Sequence, residues 1–228
     1  MNKKLLLFDI DGTLLSTHGI PRIAMGNVLK DRYKQFKYDD YYNFSGRTDW
    51  QIVEHLLAFD NRDEKESVVH QILDDFAVEL AKQLANGKQP LVYPGVQSLL
   101  EFLAAKEEIY LGLVTGNISK GARIKLNAAE LNHYFPIGGF GDDAKDRDAL
   151  PPIALERAKE HFGIEPQNED IWIIGDSIYD IQCARVNGLR TLAVSTGLTD
   201  HEVLAAENPE YLVPDFTDTE QTIKILLS

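Results

Sequence analysis

Cysteine is nearly absent: Cys183 is the one thiol in 228 residues. An internal disulfide and a cysteine-rich zinc centre are thereby excluded, and Cys183 reads as a small buried apolar residue in a reducing compartment. Basic charge is also scarce, with 23 Lys and Arg against 36 Asp and Glu, a formal net charge of −13 and a pI near 4.8. No general attraction to nucleic-acid backbones or anionic lipid is expected, so any phosphate the chain handles needs local positive charge, such as a metal ion. Long apolar runs are missing too. Leu5–Phe8 is cut short by Asp9 and Asp11, well below a membrane span. Met1-Asn2-Lys3-Lys4 is followed by no proper signal-peptide h-region or cleavage site, and the expectation is a soluble cytoplasmic protein. The six histidines (His18, His55, His70, His133, His161 and His201) show no H-x-x-x-H spacing, which argues against an imidazole metal site; His18, though close to the first acidic motif, is not expected in the cleft.

What is present suits a packed core: 44% hydrophobic and 26% charged residues in a 25.7 kDa chain, enough for one α/β domain carrying a smaller unit. Short apolar runs without helical period at Lys4–Phe8, Ile109–Val114, Ile171–Ile174 and Thr191–Val194 read as buried strands, with weaker pieces at Ile137–Phe140 and Tyr211–Val213. Amphipathic stretches lie between or after them at Val96–Lys106, Lys120–Leu131, Pro152–Phe162, Ile178–Asn187 and Glu220–Leu227. The alternation predicts an α/β fold with a doubly wound, Rossmann-like parallel sheet covered on both faces. From about Pro21 to Asn86 the pattern is helical throughout (Pro21–Phe36, Thr48–Phe59, Asp63–Leu84), with Pro21 and Asp63 at expected helix starts. The turn residues Asn86–Pro90 and Tyr93-Pro94-Gly95 mark the return. The predicted division is a core of residues 1–16 and 90–228 with a helical unit, 17–89, inserted. Trp50 and Trp172 read as core residues.

In a doubly wound sheet, the loops after the carboxyl ends of the strands open on one edge, where ligands bind. Asp9 and Asp11, Thr115-Gly116-Asn117, and Gly175-Asp176-Ser177 each follow a predicted strand, so they are expected to share one crevice. Three crowded carboxylates repel unless protonated or bound to a hard cation, and oxygen-only ligation favours Mg²⁺ over zinc. The glycine-freed amides and the hydroxyl of Thr115-Gly116-Asn117, leading into a helix, can cradle an anion. A cation site beside an anion cradle specifies a phosphoryl group.

Asp9-Ile10-Asp11-Gly12-Thr13-Leu14, Thr115 after a strand, and Gly175-Asp176-Ser177-Ile178-Tyr179-Asp180 occur in the order that resembles the haloacid dehalogenase superfamily of phosphatases, most of all its phosphoglycolate phosphatase and β-phosphoglucomutase relatives. The helical insertion after the first motif resembles that superfamily's first type of cap. The resemblance covers essentially the whole chain. It implies Asp9 as the nucleophile that forms an aspartyl-phosphate and Asp11 as general acid and base. It implies Mg²⁺ held by Asp9, the Asp11 carbonyl and Asp176, with Asp180 supporting the metal site. Thr115, Gly116 and Asn117 are implied to hold phosphoryl oxygens. The implied substrate is a small phosphorylated metabolite, and the implied partners include neither nucleic acid nor membrane.

The third motif departs from the family, because aligning Pro151-Pro152-Ile153 with the usual helix start leaves no lysine in register. Arg147 is the nearest cation and Lys145 the next; Arg147 is preferred, although its fork is not an ammonium point charge. Ser45-Gly46-Arg47-Thr48-Asp49 resembles the cap loop that touches substrate, with Arg47 able to fork onto an anion; the same residues also read as a helix start capped by Thr48 or Ser45. The expected activity is phosphomonoester hydrolysis. Two alternatives stand beside it, a phosphomutase that returns the group to a sugar and a non-catalytic phospho-acceptor. A dehalogenase is disfavoured because halide release needs no general acid at Asp11.

Overall fold

The computed structural model describes residues 3–87 and 89–228, so Met1, Asn2 and Lys88 of the expected Asn86–Pro90 turn lie outside the described residues. Strand β1 (Lys4–Phe8) leads to the two-residue β2 (Leu15–Ser16) and then to three helices, α1 (Ile20–Arg32), α2 (Asp49–Phe59) and α3 (Glu66–Asn86). The chain returns through β3 (Leu91–Val92), and α4 (Val96–Ala104), β4 (Ile109–Val114), α5 (Ser119–Ala128), β5 (Ile137–Gly139), α6 (Leu150–Phe162), β6 (Ile171–Gly175) and α7 (Ile178–Val186) follow. It ends with β7 (Arg190–Val194), α8 (His201–Ala206), β8 (Tyr211–Val213) and α9 (Thr219–Leu227).

The main sheet has six parallel strands in the order β5-β4-β1-β6-β7-β8. The period of two along β1 divides its side chains between two cores. Leu6 and Phe8 join Leu99, Leu103, Leu126 and Leu226 of the helices on one face, whereas Leu5 and Leu7 join Leu150, Ala154, Cys183 and Ala184 on the other. Burial pushes the Cys183 thiol up to about 12, in keeping with its packing role. From β1 the chain steps outward through β4 and β5, then crosses back to β6 on the other side of β1. That reversal creates a crevice at the carboxyl ends of β4, β1 and β6.

Helices α1, α2 and α3 form a separate apolar cluster, including Leu29, Trp50, Leu56, Ile72, Phe76 and Leu80, into which Ile118 of the core reaches. The chain enters and leaves this unit through β2 and β3, which pair antiparallel, Leu15 with Val92 and Ser16 with Leu91. Several helix bounds differ from the sequence pattern. α1 stops at Arg32 rather than Phe36, since Tyr33 is extended and Gln35 takes a left-handed φ of 60°. α3 begins at Glu66 with Lys65 as its cap, three residues beyond the expected start at Asp63. α5 closes at Ala128, where Glu130 (φ 59°) turns the chain and tucks Leu131 into the core. α6 begins at Leu150, and both Pro151 and Pro152 fit its first turn because no intrahelical donor is needed there. Thr48, not Ser45, caps α2 in a capping box with Gln51, an arrangement contributing about 1 kcal/mol to a helix start.

Candidate active site

Past the end of β1 the amide of Asp9 still donates to Ile174 O at 2.9 Å, which carries the Asp9 side chain to the crevice floor. Gly12 then adopts φ 85°, and Leu14 and Leu15 donate back to Ile10 O, closing a tight turn that leaves Asp11 over the same crevice. A Cβ on Gly12 would lie 2.3 Å from Asp176 Oδ2, and one on Gly197 only 1.7 Å away. These two glycines therefore let the backbone close around the Asp176 carboxylate, to which Thr13 Oγ1 donates at 3.0 Å.

The carboxylates of Asp9, Asp176 and Asp180 are buried, with one oxygen of each inside a mutual distance of 4.8 Å. Burial, above all, raises the Asp9 carboxyl to about 6; Arg147 pulls it down while Asp180 pushes it up. Asp176 is raised well above the carboxylate range by burial and then by Asp9 and Asp180. Oxygen-only donors this crowded and this dry suit a hard divalent cation, whose charge offsets their mutual repulsion. Asp180 belongs to this cluster but is heavily committed: one oxygen pairs with Arg147 and the other accepts from Ser177 N at 3.1 Å and Ser177 Oγ at 2.6 Å, in the box that starts α7.

The structure brings Arg147 into this cluster and leaves Lys145 outside it. Arg147 Nη2 lies 3.4 Å from Asp9 Oδ1, ion-pairs with Asp180 and donates to Val114 O at 3.3 Å. Burial works against its charge, but Asp180 and Asp9 outweigh burial and hold the guanidinium above the ordinary arginine pKa. Lys145, exposed, pairs with Glu54 and Glu66 at 3.0 and 2.9 Å and lies 4.8 Å from the centre of the Trp50 ring.

Thr115 is wholly buried, and its hydroxyl accepts from Asn117 Nδ2 at 2.8 Å. That same amide donates to Asp11 Oδ2 at 2.9 Å, so the Asn117 side chain holds Thr115 and Asp11 together. A Cβ on Gly116 would lie 2.0 Å from the Arg47 carbonyl, and Gly116 O accepts from Asp49 N at 2.7 Å. The loop after β4 is thus joined directly to the start of α2. Arg47 lies with its guanidinium 4.9 Å from the centre of the Tyr179 ring and 5.7 Å from that of Tyr42. A cavity of about 370 Å³ extends from Asp9 and Thr115 to Arg22, Phe44, Arg47 and Ile52 of the helical unit, and His18 does not line it.

Lys125 and Asp49, both lining this cavity, escaped the sequence reading. Lys125, on α5, puts Nζ 2.5 Å from Asp11 Oδ2. Asp49, buried at the start of α2, accepts from Ile118 N at 2.8 Å; burial raises its carboxyl to about 6, opposed by Lys125. For Lys125 the available signal was a lysine set between the apolar positions Ala122 and Leu126 of an amphipathic helix. For Asp49 there was none beyond its place in Ser45–Asp49.

A buried carboxylate cluster at the switch point of a doubly wound sheet, with a threonine-glycine loop beside it and a helical unit over it, defines a hydrolase of the haloacid dehalogenase type. Residues 6–194 match the family described as haloacid dehalogenase-like hydrolase, and the chain belongs to it. A phosphoglycolate phosphatase of Nitrosospira multiformis is 27% identical over 223 residues, spanning 97% of this chain and 96% of its own. Pyrophosphatase PpaX of Bacillus mycoides is 26% identical over 214 residues, 93% of each chain. The crystal structure of CbbY from Rhodobacter sphaeroides in complex with phosphate shares the fold at a TM-score of 0.77, with 19% identity and 96% of each chain covered. No helix among the described residues is long and apolar enough to cross a membrane.

Proposed function

We propose that the chain is a Mg²⁺-dependent phosphomonoesterase that hydrolyses a small phosphorylated metabolite through an aspartyl-phosphate on Asp9. The observation that carries this reading is the Asp9 carboxylate on the cavity floor, beside Arg147 at 3.4 Å and within the Asp9–Asp176–Asp180 cluster. In the first half-reaction an Asp9 oxygen attacks phosphorus and the bond to the leaving oxygen breaks, while the Asp11 carboxyl gives that oxygen its proton. In the second, the Asp11 carboxylate takes a proton from water, the water oxygen attacks phosphorus, and the Asp9–phosphorus link breaks to release phosphate. Mg²⁺, held by Asp9, the Asp11 carbonyl and Asp176 with Asp180 behind them, would supply positive charge to the phosphoryl oxygens. The Thr115 hydroxyl and the amides of Gly116 and Asn117 orient those oxygens, and Arg147 offsets the charge of Asp9. Residues 17–89 act as a cap over the core of 1–16 and 90–228, with Arg47 facing the part of the substrate beyond phosphorus.

The test is release of inorganic phosphate from p-nitrophenyl phosphate and from a panel of phosphorylated metabolites, with Mg²⁺ present. Turnover of several at rates above ~1 s⁻¹ for the best supports the reading. Phosphoryl return to a sugar without phosphate release would favour a mutase, and no turnover at all a phospho-acceptor.

A further inference from the structure

Lys125 occupies a position where the helix pattern calls for an apolar residue. Its neighbours on α5, Ala122 and Leu126, are fully buried, and Lys125 itself is 2% exposed. An ammonium withdrawn from water is costly unless acceptors replace the solvent. Lys125 has two, Asp11 Oδ2 at 2.5 Å and Asn117 Oδ1 at 2.5 Å. Asn117 Nδ2 closes the ring by donating to the same Asp11 oxygen at 2.9 Å. A residue needed only to fill the core would be better served by leucine or methionine. The positive charge in the site is therefore divided: Arg147 faces Asp9 and Asp180, and Lys125 faces Asp11.

The two oxygens of Asp11 differ as a result. Oδ2 receives two donors, whereas Oδ1 accepts from Thr17 Oγ1 at 3.3 Å. One oxygen is anchored and the other is loosely bonded.

We propose that Lys125 is a positioning residue for proton transfer, clamping Oδ2 of Asp11, directly and through Asn117, so that Oδ1 is the oxygen that exchanges the proton. This rests on the reading of Asp11 as acid and base given above. In that exchange the proton leaves Oδ1 as the phosphorus–oxygen bond breaks, the bonding pair stays on the leaving oxygen, and the Asp11 carboxylate so formed remains paired with the ammonium.

The test compares wild type, Lys125→Met, Lys125→Arg, Asp11→Asn and the double variant Lys125→Met/Asp11→Asn, all with Mg²⁺. The substrates are p-nitrophenyl phosphate, whose leaving group needs little protonation, and glycerol phosphate, whose leaving group needs it. Lys125→Met is expected to lower kcat on the alkyl ester ~100-fold and on the aryl ester under ~10-fold, with KM changing less than ~3-fold. Lys125→Arg is expected to recover part of the alkyl loss. In the Asp11→Asn background Lys125→Met should cost under ~3-fold, because its effect passes through Asp11. Equal losses on both substrates, or full additivity in the double variant, would overturn the proposal and leave Lys125 a structural residue. Should Lys125→Met not fold, Lys125→Gln carries the same comparison. Wild-type activity in Asp11→Asn would overturn the acid–base reading and this proposal with it, whereas an impaired Asp11→Asn beside an unaffected Lys125→Met would overturn the proposal alone.

Discussion

Arg147→Met removes the guanidinium while keeping much of its volume, and leaves Asp9 and Asp180 facing each other. Arg147 is 4% exposed, lies 3.4 Å from Asp9 Oδ1 and pairs with an Asp180 that is wholly buried. Removing one side of a buried ion pair costs ~3–5 kcal/mol, because the remaining charge has neither partner nor solvent. At ~2–4 °C per kcal/mol for a chain of this size, the melting temperature in EDTA should fall by ~6–20 °C. Arg147 also holds the Asp9 carboxyl down, so without it that carboxyl rises further above its present value of about 6. The variant therefore takes up a proton at acid pH that relieves the repulsion, and its deficit should be smaller at pH 5 than at pH 7.5. In Mg²⁺, kcat/KM should drop at least ~100-fold, equivalent to ~2.7 kcal/mol of transition-state stabilisation. Lys145→Ala is the contrast, since its exposed ion pairs with Glu54 and Glu66 lie away from the crevice; kcat/KM should stay within ~3-fold. A melting temperature of Arg147→Met within ~2 °C of wild type would refute the stability argument. A larger kinetic loss in Lys145→Ala would move the cationic role to Lys145.

Asp9→Asn should abolish phosphatase turnover with circular dichroism unchanged, and retention of more than ~1% of the rate, with deamidation excluded by mass spectrometry, would remove Asp9 as nucleophile. The same variant tests the electrostatics. A carboxyl raised from 3.8 to about 6 stabilises the fold fully below its unfolded pKa and loses that contribution as pH rises through the folded one. In EDTA, Asp9→Asn should gain on wild type between pH 4 and pH 7, by up to ~3 kcal/mol, and denaturant titrations showing no such trend would contradict the raised pKa. Mg²⁺ should raise the wild-type melting temperature more at pH 7.5 than at pH 5, because it competes with the protons on Asp9 and Asp176; an equal shift at both pH values would place its binding elsewhere. Gly197→Ala brings a Cβ against Asp176 Oδ2. It should weaken Mg²⁺ binding ~10–100-fold by calorimetry, and an unchanged affinity would separate that glycine from the metal site.

The parts of this molecule that the sequence made legible are those whose signal is local. β1, β4 and β8 have the expected bounds because short apolar runs, three to six residues long, need no distant partner to be recognised. Asp9, Thr115 and Asp176 lie at one crevice because each follows such a strand. β2 and β3 were not legible, since two residues apiece carry no period. Lys125 was hidden for a different reason. Its acceptor, Asp11, is 114 positions away, and a lysine beside Leu126 also fits a helix edge whose stem covers apolar surface while its head reaches water. Asp49 reads locally as an acidic residue in the first turn of a helix, and its partner, the Ile118 amide, is 69 positions further on. Alignment against a helix start favours Arg147 over Lys145 in the sequence, and in the structure burial separates the two.

The two-residue ladder between β2 and β3 has a consequence for how such a protein can change over time. Because Leu15 pairs with Val92 and Ser16 with Leu91, the two ends of the inserted helices are already clasped together by the core. Closing a loop whose ends are held costs little more when the loop grows, since the entropy rises only with the logarithm of its length. The insertion is therefore a cassette. It can lengthen, shorten or be traded for another while the strand order around Asp9 stays as it is, and on the function proposed above bond-breaking and choice of molecule would then be inherited on separate stretches of chain. A chimera that receives residues 17–89 from a relative should keep its aryl phosphatase rate and take on the donor's preferences.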